Sequence, residues 1–340
     1  MITVDTTIGE LKKNNIIGSL FRYLIFNISG DGAGNYQSDD ISLSDINHKN
    51  PTWNAKDMAY GLNCLVENGK TGIQLLYQVY PNGDILVSPD KEFVQLIYFP
   101  SKIVSTKKSK PVILAAGGGY GAVCSMAESF PVAARLSELG FSVFCLNYRV
   151  ADGKTLFPRP MEDMAAAYNF LNRNKDIFQI DVEHYAVGGF SAGGHLAACW
   201  GTEFLGYQKY KAIKPDFLLL AYPLINVWDT AKVMPEPLKS MLLEGYLGTG
   251  YSRKASEIYN IDETIDCEYP STYIIQAEDD QTVPIWNSTR LFEALNKYQI
   301  PCKCDIREKG LHGFGLGTDT MCYGWVENAV SFWKQLDKEL

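Results

Sequence analysis

A mostly parallel β-sheet with helices on both faces is the architecture that the 340-residue sequence predicts. Three observations lead to it. From about Gly72 onward, short apolar runs alternate with helical patterns of about 10–15 residues. Several runs, such as 112–116 and 217–222, carry almost no polar residue, as strands buried on both faces do. Many of these runs stop abruptly at glycine-rich or acidic turns, where residues able to do chemistry collect.

Taken in order, strands are predicted over 74–80 and 94–99, joined by a turn containing Pro81-Asn82-Gly83-Asp84. A third strand, 112–116, runs into three glycines. The helix over 129–139 stops at Gly140, a favourable C-terminal cap. A strand over 142–148 and a helix over 160–172, with proline at its start, follow. Strand 185–189 leads into helix 193–203. Strands 217–222 and 272–277, helix 285–298, strand 303–307 and helix 323–338 complete the series. Between Leu224 and Tyr269 no strand is expected, and that interval is too long for an ordinary connection. It reads as a lid-like insertion at about 224–269, with a helix over 235–246.

The first 70 residues read differently, as a helical N-terminal appendage to a catalytic domain spanning 71–340. Ile17, Leu20, Phe21, Leu24 and Ile25 follow helical spacing, as do Met58, Leu62, Leu65 and Val66. A Gly/Asp-rich loop separates them, from Ser29 to Asp40. Covering the core surface is the expected role of this segment. A contact in a homo-oligomer or a wall of the active site are the alternatives.

Bulk composition narrows the class of function. At 46% hydrophobic and 21% charged residues the chain reads as an ordinary globular protein. A net charge of −8, with Lys107, Lys108 and Lys110 as the densest basic cluster, argues against a nucleic-acid partner. No apolar stretch reaches the roughly 18 residues of a membrane span, and the first ten residues lack the pattern of a secretory leader. The eight cysteines are scattered, several inside apolar runs, so free thiols in a reducing cytoplasm are expected. Cys302 and Cys304 share a strand face, but no further ligands stand near them, and no metal site is expected.

The strongest chemical signal is Gly189-Phe190-Ser191-Ala192-Gly193, between a strand and a helix. A serine on so tight a turn is held in a strained conformation, with its hydroxyl raised above the sheet edge. The residues two before and two after it must be small. The helix N-terminus then adds partial positive charge near a developing oxyanion. A bare Gly-rich turn for helix packing is the bland alternative.

A serine needs a base. Of four histidines, His48 lies in the appendage, His184 precedes the nucleophile strand, and His195 sits on the helix after Ser191, where local packing suits it. His312 follows the last predicted strand, at the edge where Ser191 belongs. The base in turn needs a carboxylate, and Glu278-Asp279-Asp280 follows strand 272–277 at the same edge. Donors for an oxyanion are expected from the backbone amide of Ala192 and from the loop Gly117-Gly118-Gly119-Tyr120. A phosphate loop would need a following lysine and Ser/Thr, and neither is present.

The stretch Ala116 to Tyr120 resembles the HGGG region of the carboxylesterase and hormone-sensitive-lipase-like branch of the α/β-hydrolases. Asn147-Tyr148-Arg149, the run Gly189 to His195, Asp280-Gln281-Thr282-Val283-Pro284 and His312-Gly313-Phe314 extend the resemblance. Together they are most similar to the acetyl-xylan/feruloyl-esterase-like group, over about residues 90–338. Ala116 departs from the lipase-like pattern, which has histidine there. The resemblance implies an α/β-hydrolase fold and a triad of Ser191, Asp280 and His312. Asp280 is chosen because the family's acid is followed by two variable residues and then Val-Pro, as in Asp280-Gln281-Thr282-Val283-Pro284. It further implies Gly118, Gly119 and Ala192 as oxyanion donors, a small-molecule ester substrate with short acyl groups, and no cofactor. Tyr120 and Trp228 are expected at the substrate pocket, with Tyr246, Tyr251 and Tyr259 closing it. An amidase or formamidase, a peptidase of prolyl-oligopeptidase type, and a non-catalytic binding protein are the rival readings.

Overall fold

The computed structural model describes residues 1–28, 36, 38–236 and 238–337. The Gly/Asp-rich stretch from Ser29 to Asp40 lies largely outside them. Eight strands, β1 (Leu76–Gln78), β2 (Gln95–Phe99), β3 (Pro111–Ala115), β4 (Ser142–Asn147), β5 (Ala186–Phe190), β6 (Phe217–Ala221), β7 (Ser271–Ala277) and β8 (Cys302–Arg307), form one sheet. Their order is β1-β2-β4-β3-β5-β6-β7-β8. β1 and β2 run antiparallel to their neighbours, and every other pairing is parallel. Every residue of β2 through β6 is buried, which is why these segments are apolar without alternation.

Register places the chemistry. Ala115 of β3 pairs with Gly189 of β5, Phe190 with Ala221 of β6, and Ala277 of β7 with Arg307 of β8. The segments that leave these strands, 116–120, 191–193, 278–284 and 310–314, therefore emerge along one edge of the sheet.

Several expectations need local correction. The helix expected around residues 17–25 is a single turn, Ile17–Leu20, followed by a tighter turn, Phe21–Tyr23. Its apolar residues Ile17, Leu20, Phe21, Leu24 and Ile25 are all buried, while Ser19 and Arg22 face solvent. The chain then forms a bridge between Phe26 and Val123. The turn expected at 81–84 opens a short helix, Asn82–Val87. Inside the 224–269 interval the expected helix is a turn, Leu238–Ser240, running into a π-helical segment, Met241–Gly245.

The N-terminal residues share the core of the sheet. Ile8, Leu11, Leu24, Met58 and Leu62 are buried in the same apolar cluster as β2 to β7. The helix Ala55–Lys70 crosses Ser129–Glu138 so closely that a Cβ on Gly61 would meet Pro131 N at 2.8 Å. No described helix is long and apolar enough to cross a membrane.

Candidate active site

Ser191 sits between β5 and the helix Ala192–Trp200 with φ +52° and ψ −118°, a conformation rarely adopted by an L-residue. The neighbouring glycines make that turn feasible. A Cβ on Gly189 would come within 2.0 Å of Gly193 O, and one on Gly193 within 2.1 Å of Ala115 O. Ser191 Oγ lies 2.8 Å from His312 Nε2, and His312 Nδ1 lies 2.8 Å from Asp280 Oδ2.

The acidic run divides by contact. Asp280, its side chain fully buried, accepts from the amides of Thr282 and Val283, each at 2.9 Å, and from Gln276 Nε2 at 3.0 Å. With those three donors already directed at the carboxylate, the proton between it and His312 belongs on Nδ1, and the Nε2 lone pair faces Ser191. Asp279 instead accepts the amides of Gly310 and Leu311, at 2.9 and 2.7 Å, and anchors the loop that carries His312. Glu278 is exposed.

The glycine loop is folded so that the amides of Gly118 and Gly119 stay free of backbone acceptors. Gly118, Gly119 and Tyr120 have φ of +128°, +59° and +55°. Among the described residues, the amides of Gly118, Gly119 and Ala192 donate to no backbone acceptor, and all three residues line the cavity above Ser191. Side chains hold the loop from beneath. Tyr148 donates to Ala116 O at 2.6 Å, and Tyr246 donates to Gly119 O. Tyr120 bonds His195 Nδ1 at 2.9 Å, and His195 Nε2 meets Tyr259 O at 2.8 Å. A carbonyl can only accept, so His195 carries its proton on Nε2 and receives the tyrosine hydroxyl on Nδ1. Burial lowers the His195 pKa to about 4. Of the remaining histidines, His184 pairs with Asp216 at 3.1 Å near the far ends of the strands, and His48 ends the helix Leu43–Lys49, facing solvent.

The cavity has a volume of about 290 Å3. Leu224, Met234, Leu242 and Tyr246, from the segment between β6 and β7, form one wall, and Asn50, Thr52 and Trp53 form another. Tyr120 and Trp228 do not line it. Tyr120 is fully buried, because its positive φ turns the ring down onto His195. Trp228 lies on the helix Val227–Val233 and packs edge-on against Tyr251.

Two features escaped the sequence reading. Glu128, wholly buried beside Ser191, accepts the amide of Gly117 and the hydroxyl of Tyr222, the latter at 3.1 Å. Burial raises its pKa to about 7. The available signal was an acid that, apart from Ser129, stands in an apolar stretch, 126–134. The Asn50–Trp53 wall carries no local signal, since its place at the cavity depends on contacts with residues some 260 positions away.

Similarity to known proteins agrees with this architecture. The BD-FAE family model matches residues 96–295, more than half of the chain. Endo-1,4-beta-xylanase B of Butyrivibrio fibrisolvens is 26% identical over 217 residues, covering 62% of this chain and 33% of that protein. Acetylxylan esterase of Xylanibacter ruminicola is 27% identical over 204 residues, 59% of this chain and 40% of that protein. The chain thus matches well under half the length of these two relatives. Among solved structures, an acetyl ester-xyloside bifunctional hydrolase from Caldicellulosiruptor lactoaceticus superposes with a TM-score of 0.64 at 26% identity, covering 78% of this chain and 95% of that one. A sugar hydrolase from Lactococcus lactis superposes with a TM-score of 0.59 at 28% identity, covering 72% and 95%. With the family model spanning β3 to β7 and the segments that bear Ser191 and Asp280, this chain belongs to the BD-FAE family and has the α/β-hydrolase fold.

Proposed function

We propose that the chain is a serine carboxylesterase that removes short acyl groups, acetyl above all, from carbohydrate alcohols. The observation that carries this reading is the hydrogen-bonded series Ser191–His312–Asp280, opening into a cavity with the free amides of Gly118, Gly119 and Ala192 on its rim. Similarity to an acetylxylan esterase and to an acetyl ester-xyloside hydrolase supports the acyl and alcohol halves of the assignment.

In this mechanism Ser191 Oγ attacks the ester carbonyl carbon while its proton passes to His312 Nε2. The three amides hold the oxyanion of the tetrahedral intermediate, and Asp280 stabilises the imidazolium. The C–O bond to the alcohol breaks, and the leaving oxygen takes the proton from Nε2. Water then attacks the acyl-serine with His312 as base. Collapse of the second intermediate returns the proton to Ser191 and releases the carboxylic acid.

The test is labelling by a fluorophosphonate probe together with rates on acetylated xylo-oligosaccharides, simple acyl esters, and formyl and aminoacyl amides. Labelling with acetyl-ester turnover is the expected outcome. Absence of labelling would leave a binding protein, and turnover confined to amides would leave an amidase.

A further inference from the structure

We infer that the wall formed by Asn50, Thr52 and Trp53 is the subsite for the alcohol half of the ester, and that it selects a hydroxyl-bearing ring. The inference rests on the esterase reading above and adds to it a segment outside residues 96–295, the span the family model covers.

Position comes first. In acyl transfer the alcohol oxygen must take its proton from His312 Nε2, so the alcohol lies on the histidine side of the cavity. Thr52 and Trp53 flank the residue next to that histidine. A Cβ built on Gly313 would stand 3.4 Å from Thr52 Oγ1 and 3.6 Å from Trp53 Nε1. The Leu224, Met234 and Leu242 wall, by contrast, is contributed by the segment that follows β6 and suits an acyl chain.

The wall is also fixed relative to His312. Asn54 Nδ2 donates to Thr318 O at 3.0 Å, Lys56 pairs with Asp319 at 2.8 Å, and the Thr318 amide donates to Asp57 at 3.3 Å. The segment bearing Thr52 and Trp53 is thus bolted to the loop that follows the histidine. The indole lies tilted against the ring of Tyr36, 6.4 Å between centroids.

Chemistry decides the class of alcohol. Among the described residues, neither Thr52 Oγ1 nor Trp53 Nε1 has a hydrogen-bond partner, and both residues are half-buried at the cavity. An alkyl alcohol would strip water from both groups and return nothing. A saturated ring with hydroxyls offers its C–H face to the indole and its oxygens to the indole N–H and the threonine hydroxyl. This combination of one aromatic surface with a few convergent polar atoms is how small-molecule sites fix orientation.

The experiment compares kcat/KM for an acetylated xylo-oligosaccharide with that for methyl acetate, in wild type and in Trp53→Ala, Trp53→Phe and Thr52→Val. The wild type is expected to favour the sugar ester. Trp53→Ala should lower the sugar-to-methyl selectivity by about tenfold or more, chiefly through KM. Trp53→Phe and Thr52→Val, each removing one donor, should lower it by about threefold to tenfold. Should Trp53→Ala fail to fold, the two milder variants still decide the matter. Selectivity unaltered in the folded variants overturns the inference, as does an equal loss on both esters. A wild type that prefers methyl acetate overturns it while leaving the esterase reading intact; one that hydrolyses neither ester overturns the esterase reading itself.

Discussion

The carboxylate of Glu128 accepts the amide proton of Gly117, and the hydroxyl of Tyr222 reaches its other oxygen. The same Tyr222 oxygen receives the amide of Gly315 at 3.1 Å, and the ring lies edge-on to His312 at 4.9 Å. One buried acid therefore joins the glycine loop to the histidine loop beneath the nucleophile.

That burial has a pH signature. The Glu128 pKa stands at about 7 in the folded chain against an ordinary 4.5, with burial the largest cause. Between those values the folded chain holds a proton that the unfolded chain has released. Stability from this group is therefore greatest at low pH, falls as pH rises from about 4.5 to about 7, and is level above that. Glu128→Gln removes the dependence. The variant should gain on wild type by on the order of 1–3 kcal/mol between pH 5 and pH 8. Asp57, also raised by burial, to about 6, acts in both proteins and cancels. Thermal unfolding at the two pH values measures the difference, and parallel shifts in both proteins would refute the account.

Ser191→Ala should abolish ester turnover, by about 10³-fold or more, with the fold retained, because substrate binding and the free amides give only residual catalysis. Alanine at a position with φ +52° is no more strained than serine, so circular dichroism should be unchanged. A folded variant retaining a tenth of the wild-type rate would disqualify Ser191 as nucleophile.

Much of this arrangement was legible beforehand because it depends on local chemistry. Strands β3, β5 and β6 are apolar at nearly every position since both faces are buried, and a run of that kind announces itself. The grouping of Ser191, Asp280 and His312 follows from each standing just past a strand end on one edge. Legibility fails where a side chain's direction depends on tertiary context. Tyr120 adjoins the glycine loop in sequence, yet its φ of +55° sends the ring into the core. Trp228 belongs to the insertion yet packs edge-on against Tyr251, away from the cavity lining. The Thr52–Trp53 wall reaches the cavity only through bonds from Asn54 and Asp57 to Thr318, which no periodicity within the first 70 residues encodes.

Acyl length should be limited by the wall of Leu224, Met234 and Leu242. Both halves of the ester share about 290 Å3, which leaves little room for a long chain. Rates on C2, C4, C8 and C12 esters should peak at C2 to C4. Leu242→Ala, which vacates space at that wall, should raise the C8-to-C2 ratio by about tenfold, since a few methylene groups in an apolar pocket are worth that much. A wild-type maximum at C8 or beyond would mean that the acyl chain leaves the cavity by another route.

Adjacent acids at 279 and 280 should respond to very different extents to the same change. Asp280 touches His312 Nδ1, and its remaining lone pairs are taken by the amides of Thr282 and Val283 and by Gln276. Asp280→Asn replaces the acceptor that orients the imidazole with a neutral amide and withdraws the charge that stabilises the imidazolium. The expected loss in kcat is about 10³–10⁴-fold. Asp279 acts through its Oδ1 alone on the amides of Gly310 and Leu311. Asn retains an oxygen there, so Asp279→Asn should cost less than about tenfold. Asp279→Ala removes the acceptor from two amides, one of them on Leu311, held at φ +57°. It should loosen the loop bearing His312 and lower kcat by more than the asparagine variant does, with Ser191 still labelled by a fluorophosphonate at a reduced rate. Measuring kcat and labelling rate for all three variants separates the two roles. Equal losses in Asp279→Asn and Asp280→Asn would show that the carboxylate charge at 279, rather than its hydrogen bonds, contributes to the site.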